Sequence, residues 1–131
     1  MAMTGKEFFD LHIKYILAGD VVGMVENTYT EDATWYNPFP FLPEPAPNVI
    51  KGRVALIDAM NKYFDYHKGS INVTSLYNFL DTPDVISFQS SFDSVQTGSW
   101  IVGNCWMMRD GKIHQHIGFA HRSALPANQS K

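Results

Sequence analysis

Apolar side chains recur at every third or fourth position in three stretches of the chain. This spacing predicts amphipathic helices over residues 4–17, 21–29 and 53–66. A capping box opens the first helix, and Gly19-Asp20 supplies its stop and a cap for the second. The N-terminal half of the chain is therefore predicted to be mainly helical.

From residue 71 onward, apolar positions alternate with polar ones, which is the period of a β-strand. A further short strand is expected before Pro38, after a turn at Glu31-Asp32. The predicted strands are 33–37, 71–80, 85–96, 99–108 and 112–121. Since most helices precede most strands, the predicted class is α+β, with helices covering one face of a curved, mostly antiparallel sheet.

The last two strands flank Arg109-Asp110-Gly111, which we interpret as a three-residue hairpin loop with glycine in the left-handed position. This loop places Asn104 opposite His116 and Trp106 opposite His114. The alternative is a two-residue Asp110-Gly111 turn, which shifts the pairing by one and separates Asn104 from His116. The register of this hairpin therefore decides which side chains share a face.

Side chains alternate between the two faces of a strand, so the three-residue loop assigns every position of the hairpin. One face combines aromatic side chains with an amide and imidazoles, as ligand sites do: Trp100, Val102, Asn104, Trp106, Met108, His114, His116, Gly118 and Ala120. The other face is almost purely apolar: Ile101, Cys105, Met107, Ile113, Ile117 and Phe119. This second face also needs cover, and we expect a second copy of the chain to provide it, giving a homodimer.

The composition indicates one ordinary globular domain. The chain has 131 residues, of which 45% are hydrophobic, so we expect a single domain over 1–131 with its core at about 5–121 and a polar tail at 122–131. The net charge of −3 and the absence of any basic run argue against a nucleic-acid partner. One cysteine, no charged N-terminal region and no long apolar run predict a cytoplasmic protein without a membrane partner.

Five prolines interleave with apolar residues over 38–47. Prolines at this density exclude a helix or a central strand, so this segment is predicted to be a loop. A lid over a pocket, a contact in a dimer and a plain surface loop are three interpretations that the sequence leaves open.

Several local strings, taken in order, resemble a known superfamily. They are Ala18-Gly19-Asp20, the segment 31–38 (EDATWYNP), Ile50-Lys51-Gly52-Arg53 at the start of a helix, and the segment 109–113 (RDGKI). From about residue 5 to 121 the chain is similar to the nuclear transport factor 2-like (NTF2-like) superfamily, and within it to SnoaL-like polyketide cyclases and ketosteroid isomerases. The resemblance implies a cone-shaped α+β barrel with a deep pocket on its concave side, and usually a homodimer through the outer face of the sheet.

The chain departs from the steroid isomerases at the positions that carry their chemistry. Those enzymes use a carboxylate base before a proline and hold the enolate oxygen with a protonated aspartate and a tyrosine. The matching positions here are Asn37, Asn104 and His12, with Tyr15 one turn away on nearly the same helix face. A steroid isomerase with the usual residues is therefore disfavoured.

The replacement residues still offer acid–base chemistry on a small apolar carbonyl compound, without a cofactor. We expect His116 to move a proton next to the carbonyl while Asn104 and Asn37 stabilise the oxyanion, with His12 and Tyr15 as further catalytic candidates. The residues expected to line the substrate pocket are Trp35, Tyr63, Phe88, Phe92, Trp106, His114 and Gly118. An isomerase or lyase of this type is the first hypothesis, and a non-catalytic dimeric ligand-binding domain is the alternative.

Each assignment also has a purely structural interpretation. His12 lies on an apolar stripe and fits a core histidine, while Asn37 before Pro38 fits a turn. The pair His114 and His116 has a spacing found in metal sites, but no third ligand aligns well with it, so we expect no metal. A cavity of about 300 Å³ or more beside Asn104 and His116 would favour the ligand-site interpretation.

Overall fold

The computed structural model describes residues 3–38, 48–67, 72–95 and 98–122, without the side chains at 72–75, 77, 92, 94, 121 and 122. Within these residues the chain is α+β, as the sequence predicts. The helices are α1 (Gly5–Ala18), α2 (Val21–Thr28) and α3 (Arg53–Tyr66). The strands are β1 (Tyr29–Tyr36), β2 (Val49–Lys51), β3 (Asn72–Asp81), β4 (Val85–Ser94), β5 (Gly98–Arg109) and β6 (Lys112–Arg122).

The helix ends follow the capping residues that the sequence shows. Thr4 accepts from the backbone N–H of Glu7, and the Glu7 side chain accepts from the N–H of Thr4, which completes the predicted capping box. Gly19 ends α1 in the left-handed conformation, with φ at 68°. Asp20 then caps α2 by accepting from the N–H of Gly23.

The strands form one open, mixed sheet of six strands in the order β2-β1-β6-β5-β4-β3. The pair β1 and β6 is parallel, and every other neighbouring pair is antiparallel. The first and the last strand of the described chain, β1 and β6, therefore lie side by side inside the sheet. The predicted mostly antiparallel sheet is confirmed.

Strand β1 begins four residues earlier than the sequence predicts. Glu31-Asp32, expected as a turn, lies inside β1 where its pairing with β6 shifts register. Both side chains are exposed, and the Asp32 carboxylate accepts from the guanidinium of Arg109, so an acidic pair is tolerated here. The three-residue strand β2 was not predicted. The predicted loop at 39–47 and the tail beyond residue 122 lie outside the described residues.

The β5–β6 hairpin corrects the predicted turn. Arg109 pairs with Lys112, so the loop is the two-residue Asp110-Gly111 turn, with φ at 54° and 76°. Positive φ at both positions is the arrangement whose twist matches that of a hairpin. The sequence has no glycine or asparagine before Gly111 to take the first left-handed position, and Asp110 adopts that conformation instead.

A bulge then restores the predicted face. The pairing shifts between Met107 and Met108, so that Met108 pairs with Ile113 but Met107 pairs with Gln115. His114 is the extra residue. Beyond the bulge Trp106 pairs with His116 and Asn104 with Gly118, so Asn104 and His116 share a face as expected, although not as directly opposed partners.

The bulge overturns two face assignments near the turn. Ile113, predicted for the outer face, is fully buried in the core. His114, predicted for the pocket face, lies 3.5 Å from the Thr30 hydroxyl and 3.7 Å from the exposed Asp32 carboxylate. Both changes follow because one inserted residue reverses the alternation on one side of the bulge.

The main core lies between the helices and the inner face of the sheet. Phe8 and Phe9 of α1 contact Trp106 of β5, with ring centroids 5.9 and 6.1 Å apart, and Phe9 also lies 4.9 Å from Phe88 of β4. The Asp81 carboxylate at the end of β3 accepts a hydrogen bond from a backbone N–H in the first turn of α1. The N-terminus of a helix carries a partial positive charge, so a carboxylate is stabilised there. None of the described helices is long and apolar enough to cross a membrane.

Candidate functional site

A cavity of about 120 Å³ lies between the three helices and the inner face of the sheet, and we call it the central cavity. It is smaller than the ~300 Å³ at which ligand pockets usually begin. It is close in size to an engineered cavity of ~150 Å³ that binds benzene. Its lining is Phe9, His12, Ile13, Ile16, Met24, Tyr29, Trp35, Met60, Tyr63, Phe64, Phe88, Ser90, Val102, Asn104, Trp106, His116 and Gly118.

A chain of three polar side chains crosses the sheet at the bottom of this cavity. The hydroxyl of Tyr29 lies 2.7 Å from Nδ1 of His116. Nε2 of the same imidazole lies 2.7 Å from Oδ1 of Asn104. The register of β5 and β6 sets this contact. His116 pairs with Trp106, and Asn104 lies two positions from Trp106 on the same face of β5, diagonally opposite His116. The structure therefore brings together the two residues on which the sequence-based mechanism depends.

One arrangement of donors and acceptors satisfies the buried Tyr29 hydroxyl together with both ring nitrogens of His116. Tyr29 is fully buried, and its hydroxyl has no other hydrogen-bond partner among the described residues, so it donates to Nδ1 of His116. The imidazole proton then sits on Nε2 and is donated to Oδ1 of Asn104. The Asn104 amide N–H groups keep no partner among the described residues. Asn104 thus offers the central cavity a donor whose orientation His116 and Tyr29 fix.

A second imidazole reaches the cavity from α1. The hydroxyl of Thr28 donates to the carbonyl oxygen of Met24 at 2.6 Å, so it acts as acceptor toward Nδ1 of His12 at 3.2 Å. This contact places the His12 proton on Nδ1. Nε2 of His12 is left as a lone-pair acceptor without a partner in the described part of the chain. His12 is 4% exposed and lines the cavity.

Burial keeps both imidazoles neutral. Desolvation lowers the pKa of His12 to about 3. Desolvation also lowers the pKa of His116 to about 3, with a further contribution from the charge that His12 would carry. Burial likewise raises the pKa of the Tyr29 phenol. At neutral pH the three groups are therefore uncharged hydrogen-bonding partners.

The remaining walls are apolar or neutral. Trp35 stacks on His116 with ring centroids 5.6 Å apart, and Phe88 packs edge-on against Trp106 at 5.0 Å. Ser90 is a buried hydroxyl on the same sheet face. Among the described residues no Asp, Glu, Lys or Arg lines the cavity. A ligand that fits here is compact and uncharged, because a charged one would lose its hydration without gaining an ionic partner.

The structure does not bring every predicted site residue to the cavity. Tyr15 packs beside Gly23 of α2 and is absent from the lining. Asn37 is exposed and left-handed, with φ at 57°, and its N–H donates to the carbonyl oxygen of Asn48, which fits the turn interpretation. His114 contacts Thr30 instead of the cavity. Trp35, Tyr63, Phe88, Trp106 and Gly118 do line it, and the Phe92 side chain lies outside the described residues.

Two polar lining residues, Tyr29 and Ser90, were missed by the sequence analysis. Tyr29 was placed at the end of α2, where nothing indicated that its hydroxyl would meet a histidine 87 positions away. Ser90 lies two positions from Phe88 on the same predicted strand, and it was given no role. The signal available for Ser90 was its small polar side chain between two phenylalanines of a strand.

No group of three or more His, Cys, Asp or Glu side chains in the described part of the chain is placed to hold a metal ion. The bulge separates His114 from His116, so the spacing that resembles a metal site does not bring the two imidazoles to one point.

Solved structures with the same architecture identify the fold. A protein of unknown function with a cystatin-like fold from Xanthomonas campestris has a TM-score of 0.74 at 16% identity, over 90% of this chain and 91% of that one. An NTF2-like protein from Anabaena variabilis has a TM-score of 0.70 at 14% identity, over 89% of each chain. The fold is NTF2-like. No protein-family model and no curated protein matches the sequence.

A third similar solved structure is described as a putative isomerase from Bacillus subtilis. It has a TM-score of 0.62 at 21% identity, over 91% of this chain and 90% of that one. At this identity the likeness concerns the NTF2-like fold alone, since this fold carries many unrelated activities. The function must therefore be argued from the central cavity itself.

Proposed function

We propose that the protein is a cofactor-free acid–base enzyme, of the isomerase or lyase type, that acts on a compact uncharged carbonyl compound in the central cavity. One observation carries this proposal. The cavity lining combines an oriented amide donor, Asn104, with an unprotonated imidazole acceptor, Nε2 of His12, among apolar walls. A carbonyl oxygen needs the first group, and the proton on the adjacent carbon needs the second.

In this reaction, the substrate carbonyl oxygen accepts from the Asn104 amide. His12 Nε2 takes the proton from the neighbouring carbon, the C–H bonding pair forms a C=C bond, and the carbonyl π pair moves onto oxygen. The Asn104 donor, held by His116, stabilises the resulting enolate. If the substrate is a β,γ-unsaturated ketone, return of the proton to the γ-carbon of the dienolate gives the conjugated isomer. If the β-carbon carries a leaving group, that group departs with its bonding electron pair and takes the proton from His12, which gives a lyase product.

The base in this proposal is His12 instead of His116, the residue the sequence had favoured. Both ring nitrogens of His116 take part in hydrogen bonds, to Tyr29 and to Asn104. Nε2 of His12 carries an unused lone pair. A pKa of about 3 keeps that lone pair unprotonated at neutral pH. A base of low pKa is sufficient when the enolate is well stabilised, as in ketosteroid isomerase, whose aspartate base has a pKa of about 4.6.

The volume of the central cavity limits the size of the substrates that fit. A volume of about 120 Å³ accommodates one ring or a short branched chain, but not the several fused rings of an aromatic polyketide. A small cyclic ketone meets the requirements of volume, neutrality and a single strong acceptor. The putative isomerase among the structural neighbours is compatible with this reaction class.

The second candidate is a non-catalytic domain that binds the same kind of molecule. The low pKa of both imidazoles favours it, because bases with a pKa near the working pH are the more efficient proton acceptors. In this case Asn104 and His12 only select the ligand.

Hydrogen–deuterium exchange separates the two functions without knowledge of the natural substrate. Cyclopentanone and cyclohexanone in D₂O are incubated with the protein, and deuterium at the carbon next to the carbonyl is followed by NMR. The enzyme is expected to accelerate exchange, and His12→Phe is expected to abolish the acceleration. His114→Asn is the matched control, because it removes an imidazole that lies outside the cavity lining.

Binding of the same ketones is measured in parallel by ligand-induced thermal stabilisation. Saturable binding that Asn104→Leu weakens, without any exchange above the solvent rate, supports the non-catalytic candidate and refutes the enzyme. If no ketone binds to the wild-type protein, both candidates are wrong.

A further inference from the structure

Two glycines lie in the central strands, one on each face of the sheet. Gly103 of β5 has a clear packing reason, because a Cβ atom there would stand 2.1 Å from the ring of Phe119 on the neighbouring strand β6. The aromatic ring covers this glycine on the outer face. Any larger side chain would displace the ring.

Gly118 of β6 has no such reason. Its φ is not in the left-handed region, so the backbone does not require glycine. The three atoms nearest to an added Cβ are Asn104 Oδ1 and the carbonyl oxygens of Asn37 and Gly103, each at 3.8 Å, which is ordinary van der Waals distance. Alanine would therefore fit. A glycine inside a strand weakens the strand and often marks a place where a ligand approaches closely.

The position of Gly118 indicates what approaches. It pairs with Asn104, lines the central cavity and has its open side next to the amide that would hold a carbonyl oxygen. We infer that Gly118 is a specificity-determining residue that sets the largest ring the cavity accepts beside that carbonyl. This inference rests on the proposed function, since it assigns the space at Gly118 to the carbonyl end of the ligand.

This inference implies a cyclic ketone as the ligand. The ring atoms next to its carbonyl carbon would lie against the backbone of Gly118. A methyl group at position 118 would occupy the space of those atoms. The contacts of Asn104 with His116 and of His12 with Thr28 would remain, because the added Cβ contacts only atoms at ordinary distance.

The test compares Gly118→Ala with the wild-type protein on two series of rings from four to seven atoms, the cyclic ketones and the corresponding cycloalkanes, with dissociation constants measured by NMR titration. The largest ketone that the wild type binds is expected to bind the variant about tenfold or more weakly, as one excess methyl group in an apolar pocket does. Smaller ketones are expected to bind both proteins equally. Val102→Ala, which widens the cavity at another point of the lining, is the control with the opposite expected sign.

The melting temperature of Gly118→Ala without ligand is expected to equal or exceed that of the wild type, because alanine restricts the unfolded chain more than glycine does. A lower melting temperature would assign Gly118 to packing and overturn the inference. An unchanged size limit for the ketones would also overturn it, while leaving the proposed function intact. Equal binding of ketones and cycloalkanes would refute the carbonyl proposal, and the shift in size limit would still decide the role of Gly118. If no ring of either series binds to the wild type, both are wrong.

Discussion

The hydroxyl of Tyr29, the first residue of β1, donates to Nδ1 of His116 in β6 across 2.7 Å. This bond decides which ring nitrogen of His116 carries the proton and hence which atom of Asn104 faces the imidazole. Tyr29, whose hydroxyl has no hydrogen-bond partner within β1, thus determines that Asn104 presents its amide N–H groups to the central cavity. The consequence can be tested directly on the tautomer of His116.

Tyr29→Phe is expected to remove the constraint on that tautomer. Nδ1 of His116 loses its donor, and a buried acceptor without a partner costs about 1–3 kcal/mol of stability. Ring ¹⁵N chemical shifts should change from the pure Nε2–H pattern of the wild type toward a mixture, and urea denaturation should show the loss of stability. Tyr36→Phe, at the other end of β1, is the control, since the Tyr36 hydroxyl makes no hydrogen bond to a described residue. An unchanged tautomer in Tyr29→Phe would contradict the proposed chain.

Stability should fall as the pH is lowered from 7 to 5. Burial places the pKa of His12 and of His116 at about 3 in the folded state, against 6.5 in the unfolded chain. Within this window the unfolded state binds more protons, so each histidine contributes a slope of up to about 1.4 kcal/mol per pH unit to the free energy of unfolding. Above about pH 8 the two histidines should contribute almost no slope, because both states are then deprotonated.

The measurement is the free energy of unfolding from urea titrations at half-unit steps of pH. Conversion of His12 to Gln removes one of the two titrating groups and should roughly halve the slope between pH 6 and 5. A free energy that stays constant from pH 7 to 5 would show that the two imidazoles are not buried as neutral groups.

Substitution by alanine is expected to change the stability in opposite directions at two glycines of the β5–β6 hairpin, Gly111 in the turn and Gly118 in β6. Gly111 has φ at 76° with no heavy atom within 4 Å of an added Cβ, so Gly111→Ala is strained by its backbone alone and should destabilise the protein by about 1–2 kcal/mol. Gly118→Ala, at an ordinary φ, should stabilise it by about 0.4–1 kcal/mol. Chemical denaturation of both variants measures the difference. Equal effects would mean that the turn is not the one described.

The outer face of the sheet supports a proposal for assembly. Phe119 is 55% exposed and Met107 is 38% exposed on the face opposite the cavity, and an exposed apolar patch of this kind marks a contact surface. We propose that a second copy of the chain covers it. Sedimentation equilibrium should show a dimer for the wild type and a monomer for Phe119→Asp, whereas Leu17→Asp, an exposed apolar position on α1, should stay dimeric. A monomeric wild type would refute the proposal.

Local chemistry was sufficient to predict the helices. The side chain of Thr4, the left-handed Gly19 and the side chain of Asp20 act within a few residues of their own position, so their effect is visible in the sequence. The face shared by Asn104 and His116 was also predicted, although from a three-residue loop. It is retained because the two-residue turn and the bulge each shift the pairing by one residue.

The features that were missed depend on contacts between distant segments. Strand β1 extends back to Tyr29 because β6 supplies its partner, and Asp32 is accommodated by Arg109, 77 positions later. The placement of His114 outside the cavity required knowledge of both the turn and the bulge, each of which shifts the pairing by one residue in the same direction. The volume of the cavity could not be predicted, since it results from the packing of many side chains at once.

The extra residue at His114 lies between the turn and the part of β6 that faces the cavity. Because Trp106 pairs with His116 beyond this bulge, a relative that lost the extra residue would keep that pair and, with it, the histidine and the asparagine on the same side of the sheet. A change in chain length at this point is therefore one that evolution can accept here without dismantling the site.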